Sequence, residues 1–258
     1  MKLHGVLAAA GAALVLSVQA QAGPLPGGAT PTLTLRATSS LGVDFSITPT
    51  PALNSDGITY SARGTQTVSG LLSLVFNLTL NPDPALSGSF TLTNLSSSTQ
   101  FFSLTATLAV LPLAAPTKMG GSFGDVKYTD ANLSSSVTLA TNGVDPFYQA
   151  QIDGGNVAAG KLGFFSETAS LGPGIFGTHS QEAFGTPIPS LTGPGVASSI
   201  GVSFPAFSLT AGDSVEVPFE FVVNAPEPSF ASLFATGTAL ILLATARRKL
   251  FQGARILW

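Results

Sequence analysis

The chain contains no cysteine. That excludes a disulfide framework, thiolate nucleophiles, cysteine-ligated zinc and iron–sulfur clusters. Charge is almost as scarce: Asp, Glu, Lys and Arg make up 9% of the 258 residues, against roughly 25% in ordinary soluble proteins. Half of the ten Lys and Arg sit at the two ends, so residues 23–225 hold five cations against twelve acids, a balance of −7. Such a body lacks the basic footprint that a phosphate backbone requires, and no nucleic-acid partner is expected. Histidine occurs only at His4 and His179, and tryptophan only at Trp258. What is plentiful is apolar residues, 45% of the chain, with Ser, Thr, Gly and Asn supplying polarity in place of charge.

The amino-terminal end reads Met-Lys-Leu-His, an apolar run from Gly5 to Val18, then Gln19-Ala20-Gln21-Ala22. A cationic start, a short apolar stretch and small residues at Ala20 and Ala22 match a secretory signal peptide. Residues 1–22 are therefore expected to be removed after Ala22, with Ala20 the next candidate. The Gly- and Pro-rich stretch that follows makes 23–31 an extended linker.

The carboxyl-terminal end carries Pro226-Glu227-Pro228, an uncharged and proline-free apolar run over 230–246, and then Arg247-Arg248-Lys249. As a helix the run spans about 25 Å, the lower limit for crossing a hydrocarbon core. The basic triplet favours an orientation with the carboxyl end on the cytoplasmic side. The two prolines keep 226–228 extended and remove its backbone donors. This three-part tail, over 225–258, resembles the PEP-CTERM sorting signal of bacterial exosortase substrates. The resemblance implies recognition through Pro226, Glu227 and Pro228, a transient anchor over 230–246, and a stop at Arg247, Arg248 and Lys249. It departs from the family in running on from Leu250 to Trp258.

The resemblance further implies export across the inner membrane, transient anchoring there, and delivery to the cell surface or the extracellular matrix. Signal peptidase and an exosortase would be the processing partners, the membrane a partner through the tail helix, and exopolysaccharide a partner in a biofilm matrix. The implied role is structural or adhesive. The alternative is a permanently anchored type I single-pass membrane protein with a ligand-binding β ectodomain.

Between the ends, over 32–224, the dominant period is two, which is the strand signature. Leu72, Leu74, Phe76, Leu78 and Leu80 alternate with mostly polar positions, as do Phe102, Leu104, Ala106, Leu108 and Val110, and Val215, Val217, Phe219, Phe221 and Val223. Pro218, on the outer side of the last run, points to an edge or a bulge in that strand. Turns are marked at Asp56-Gly57, 81–84, Asn142-Gly143, Asp153-Gly154-Gly155 and 211–213. The fold expected is all-β, an antiparallel sandwich. Residues 88–94 and 100–106 read as a hairpin around the loop 95–99. The stretch 168–198, rich in Pro and Gly, reads as a long surface excursion with few regular hydrogen bonds.

No catalytic residue, metal or cofactor is expected. His179 sits in a Gly-rich context and reads as a solvated loop residue. Glu216 and Glu220, four apart on one strand face, stand roughly 13 Å apart, too far for either glycosidase geometry. Asp125, Asp130 and Asn132 have the oxygen chemistry that calcium prefers but no standard spacing. Tyr60, Tyr128 and Tyr148 are the remaining candidates for a sugar platform. The Thr32/Thr34, Thr91/Thr93 and Thr105/Thr107 pairs resemble flat ice-binding faces, yet strand propensity accounts for them without a repeat. Asn77, Asn94 and Asn132 head glycosylation sequons of the kind that chance produces in a Ser/Thr-rich chain.

Overall fold

The computed structural model describes residues 30–130, 137–141, 144–163, 166–169 and 176–225. In chain order the strands begin with β1 (Leu33–Ser39), β2 (Asp44–Ile47), β3 (Ala52–Leu53), β4 (Tyr60–Val68), β5 (Leu72–Asn81) and β6 (Ala85–Asn94). Next come β7 (Gln100–Ala109), β8 (Thr117–Phe123), β9 (Val126–Thr129), β10 (Val137–Thr141), β11 (Tyr148–Ile152) and β12 (Gly155–Leu162). The last are β13 (Ser166–Ala169), β14 (Phe176–His179), β15 (Glu182–Phe184), β16 (Leu191–Gly193), β17 (Ser199–Leu209) and β18 (Ser214–Asn224). No helix occurs among the described residues. The signal segment 1–22 and the apolar run 230–246 both fall outside them.

The strands form two antiparallel sheets in a β-sandwich-like arrangement. Sheet I runs β12-β11-β17-β7-β1-β2, with β10 paired to the last residues of β17 and β13 paired to β10. Sheet II runs β14-β9-β18-β6-β5-β4-β3, and β8, which carries β15 and β16, shares the flank of β18 with β9. Alternation explains the packing. Along β5 and β18 every second side chain is buried and its neighbours are not, so each strand gives one face to the core and one to water.

The core is centred on aromatic rings from both sheets. Phe204 of β17 lies edge-on to Phe90 of β6 at 4.8 Å, to Phe147 at 5.4 Å, to Tyr148 at 5.8 Å and to Phe219 at 5.7 Å. Each such pair adds about 0.5–1.5 kcal/mol beyond simple burial. The packing leaves a void of about 10 Å³ walled by Leu35, Leu74, Phe90, Leu104, Phe204 and Phe219. With apolar walls and room for at most one water, it stays dry.

Three local expectations change. Residues 88–94 and 100–106 are not a hairpin: β6 pairs with β5 and β18, whereas β7 pairs with β1 and β17 in the other sheet. The loop 95–99 therefore crosses from one sheet to the other. Pro218 marks neither an edge nor a bulge in its own strand, for β18 is internal and in unbroken register with β6. The interruption lies in the neighbour instead. The β8 pairing resumes at Phe219 and the β9 pairing stops at Glu216, so the proline nitrogen faces the gap where a donor is not required. Within 168–198, β14 pairs with β9, and β15 and β16 pair with β8, so that stretch is more regular than its composition suggests.

Candidate functional site

The outer face of sheet I gathers hydroxyl and amide side chains. Register aligns Lys161, Gln149, Ser203, Thr105, Arg36 and Ser46 across six strands. A parallel row places Asn156, Gln151, Gly201, Thr107 and Thr34 side by side. Thr105 and Ser203 hydroxyls lie 3.3 Å apart, Thr38 and Ser103 hydroxyls 2.6 Å apart, and the Gln151 amide donates to Asn156 Oδ1 at 3.0 Å. Arg36 grips Asp44 through two parallel bonds of 2.9 and 2.7 Å. That hydrogen-bonded guanidinium holds the Asp44 carboxyl below the usual range. Two of the three Thr-x-Thr pairs thus contribute to one face, where Thr34 stands directly opposite Thr107. Thr91 and Thr93 lie on β6, in sheet II.

The outer face of sheet II holds the carboxylate pair. Glu216 lies beside Lys127 at 4.0 Å, and Glu220 stands in a row between Ser87 and Ser122. Pro218 separates the two acids, and each has its own neighbours, so they act as solvent-face charges. A third feature is an open groove between β12 and β16, lined mainly by Met119, Ile152, Val157, Ala158, Leu191 and Pro194. Its walls are apolar apart from Asn156 and Thr192, which offer hydrogen bonding and no acid–base chemistry.

The remaining candidates are dispersed. His179 ends strand β14 rather than lying in a solvated loop; its ring stacks on Phe123 at 6.0 Å, and Nε2 is 3.5 Å from Glu182 Oε1. Glu182 in turn accepts the Gly163 N–H at 2.9 Å. Asp125 and Asp130 lie at opposite ends of β9, and Asn132 falls outside the described residues. No group of three or more His, Asp or Glu poised for a metal occurs among the described residues. Tyr60, Tyr128 and Tyr148 are all buried, which removes them as sugar platforms. The Tyr148 hydroxyl donates to the Glu220 carbonyl at 2.9 Å; burial, helped by the Glu220 charge, pushes it well above the ordinary tyrosine range. Ala20, Ala22, Pro226, Glu227, Pro228, Arg247, Arg248 and Lys249 fall outside the described residues. Among those described, no helix is long and apolar enough to cross a membrane.

Three structural side chains escaped sequence reasoning. Asn94, noted only as a sequon, is fully buried. Its amide donates to the carbonyls of Ser98, Leu209 and Thr210, and its oxygen accepts from the Ser96 N–H and hydroxyl. The available signal was Asn followed two residues later by Ser, the Asx-turn spacing. Gln149 is buried where residues 157–160 bulge against the single Ala150, and its amide donates to the Ala150 and Val157 carbonyls. Asp153, in a two-residue turn with Gly154, accepts from the N–H groups of Ala197, Ser198 and Ser199. No protein-family model and no curated protein matches the chain.

Proposed function

We propose that this chain is an exported surface or matrix protein whose tail is cut by an exosortase-type protease, and whose β body acts by adhesion or as structure. The observation that carries the proposal is the order of features after the last strand. β18 ends at Asn224, and Pro226-Glu227-Pro228 follows at once, ahead of an apolar run and a basic triplet. A proline-held, extended glutamate between a folded body and a spanning segment is open to a membrane-embedded protease. The chemistry of the outer face of sheet I supports the second half of the reading. Apart from the buried Gln149 and Ser203, its rows of hydroxyls and amides carry few charges and suit shared hydrogen bonding with a hydroxyl-rich polymer such as an exopolysaccharide.

The test is intact mass measurement on the protein recovered from outside the cell. A mature form beginning at Gly23 and ending within or near 226–228 is the expected result. Recovery of molecules that retain Trp258 would overturn the processing and leave a permanently anchored ectodomain as the better description.

A further inference from the structure

Most sheet edges among the described residues are short or interrupted. β2 and β14 are four residues long, β3 is two, and β12 is broken by its bulge. β4 differs. β3 covers only Tyr60 and Ser61, leaving Ala62–Val68 as an edge in unbroken register with β5, with no proline and one charge, Arg63. Edges of that kind template further strand pairing unless something blunts them. Along the same side of the sandwich, Val43, Phe45, Ile47 and Val68 are only partly buried against the core.

The direction of the free groups follows from the turn. The Thr59 carbonyl accepts from Asn54 on the β3 side, and alternation carries that direction to Ser61, Arg63, Thr65 and Thr67. The last three therefore present backbone N–H and C=O groups to solvent, and their side chains are exposed.

We infer that β4 is a self-association edge, on which a second copy of this chain adds its own β4 antiparallel about a two-fold axis at Thr65. This register faces Thr65 with Thr65 of the second copy, and Arg63 with Thr67. It makes about six backbone hydrogen bonds, two for each facing pair, and keeps the two Arg63 side chains apart. A register centred on Arg63 would set like charges directly opposite, which is unfavourable, and would run into β3. The favoured arrangement joins two copies of sheet II into one continuous sheet. It does not depend on how the tail is processed.

Sedimentation of the full-length chain in mild detergent tests this, because detergent keeps the 230–246 run from driving association. The wild type is expected at twice the monomer mass, shifting to monomer on dilution. Thr65→Pro removes an outward N–H that makes no bond within the copy; it should keep the β-type circular dichroism and sediment as a monomer. Thr65→Lys and Thr65→Glu, each alone, should also be monomeric through like-charge contact, whereas mixing them should restore a one-to-one dimer by native mass spectrometry. A wild type that stays monomeric at its highest soluble concentration overturns the inference and leaves the edge to a strand of another protein or to solvent. So does a Thr65→Pro chain that still dimerises, or a Lys/Glu mixture that fails to pair.

Discussion

At the scale of single residues, two polar side chains hold the molecule together at places the hydrophobic period does not reach. Asn94 satisfies the last carbonyls of β17 from the end of β6, tying the sheet crossing to the opposite sheet. Removing its amide takes a donor from the Leu209, Ser98 and Thr210 carbonyls, at a cost of about 3 kcal/mol. Asn94→Ala should therefore lower the urea midpoint sharply, with Asn94→Asp no better because it turns donors into acceptors. Asp153 works through charge. Desolvation pushes its carboxyl upward, but the donors from Ala197, Ser199 and Ser198 together outweigh that and hold it below its ordinary value. A depressed folded pKa stabilises above the unfolded value of about 3.9 and is lost as pH falls through the folded one. Asp153→Asn keeps the left-handed backbone at φ 50, which Asn tolerates. It should cost about 1 kcal/mol near neutrality, a figure kept small by exposure. The gap between wild type and variant should close below about pH 4, as thermal melts across pH would show.

At the scale of strands, backbone approach rather than side-chain size sets the limits. Gly88 in β6 has φ +139, and a Cβ there would lie 2.2 Å from the Asn77 carbonyl oxygen of β5. Gly88→Ala adds backbone strain to a clash with main chain that cannot move aside, together about 3 kcal/mol. Denaturant melts should show that loss, while Thr79→Ala, an exposed position on the neighbouring strand, should melt like the wild type.

The strands themselves were legible because burial imposes period two: the alternations in β5, β7 and β18 are present residue for residue. Turn chemistry was equally readable at Asp153-Gly154, where both residues take positive φ and join β11 to β12. Partnership was not legible. The period of 88–94 and 100–106 is the same whether they pair with each other or in separate sheets, and what decides between these is contact with β17 and β18, which come far later in the chain. The outer face of sheet I was hidden for the same reason. Thr34 and Thr107 become neighbours only through register, and the tyrosines were misplaced because residue type alone does not say which way a side chain points.

At the scale of the whole molecule, cohesion comes from the shared core and the ladders rather than from ion pairs. Among the described residues, the ion pairs Arg36–Asp44 and Lys127–Glu216 are open to water, and the His179–Glu182 contact is partly so. Such pairs contribute little and are screened by salt. The melting temperature should accordingly shift by less than about 2 °C between low and roughly 0.5 M sodium chloride. A larger shift would mean that the −7 balance of the body governs its stability.

β17 and β18 occupy the middle of the two sheets, yet they are the last of the described strands to leave the ribosome. Until they arrive, β7 lacks one neighbour in sheet I and β6 lacks one in sheet II, and long-range closure of this kind is slow. A nascent chain waits with two half-assembled layers and unsatisfied ladders, the state in which aggregation competes. Completion of the body is thus coupled to the emergence of its final strands, and any molecule truncated before residue 199 carries that exposed state permanently.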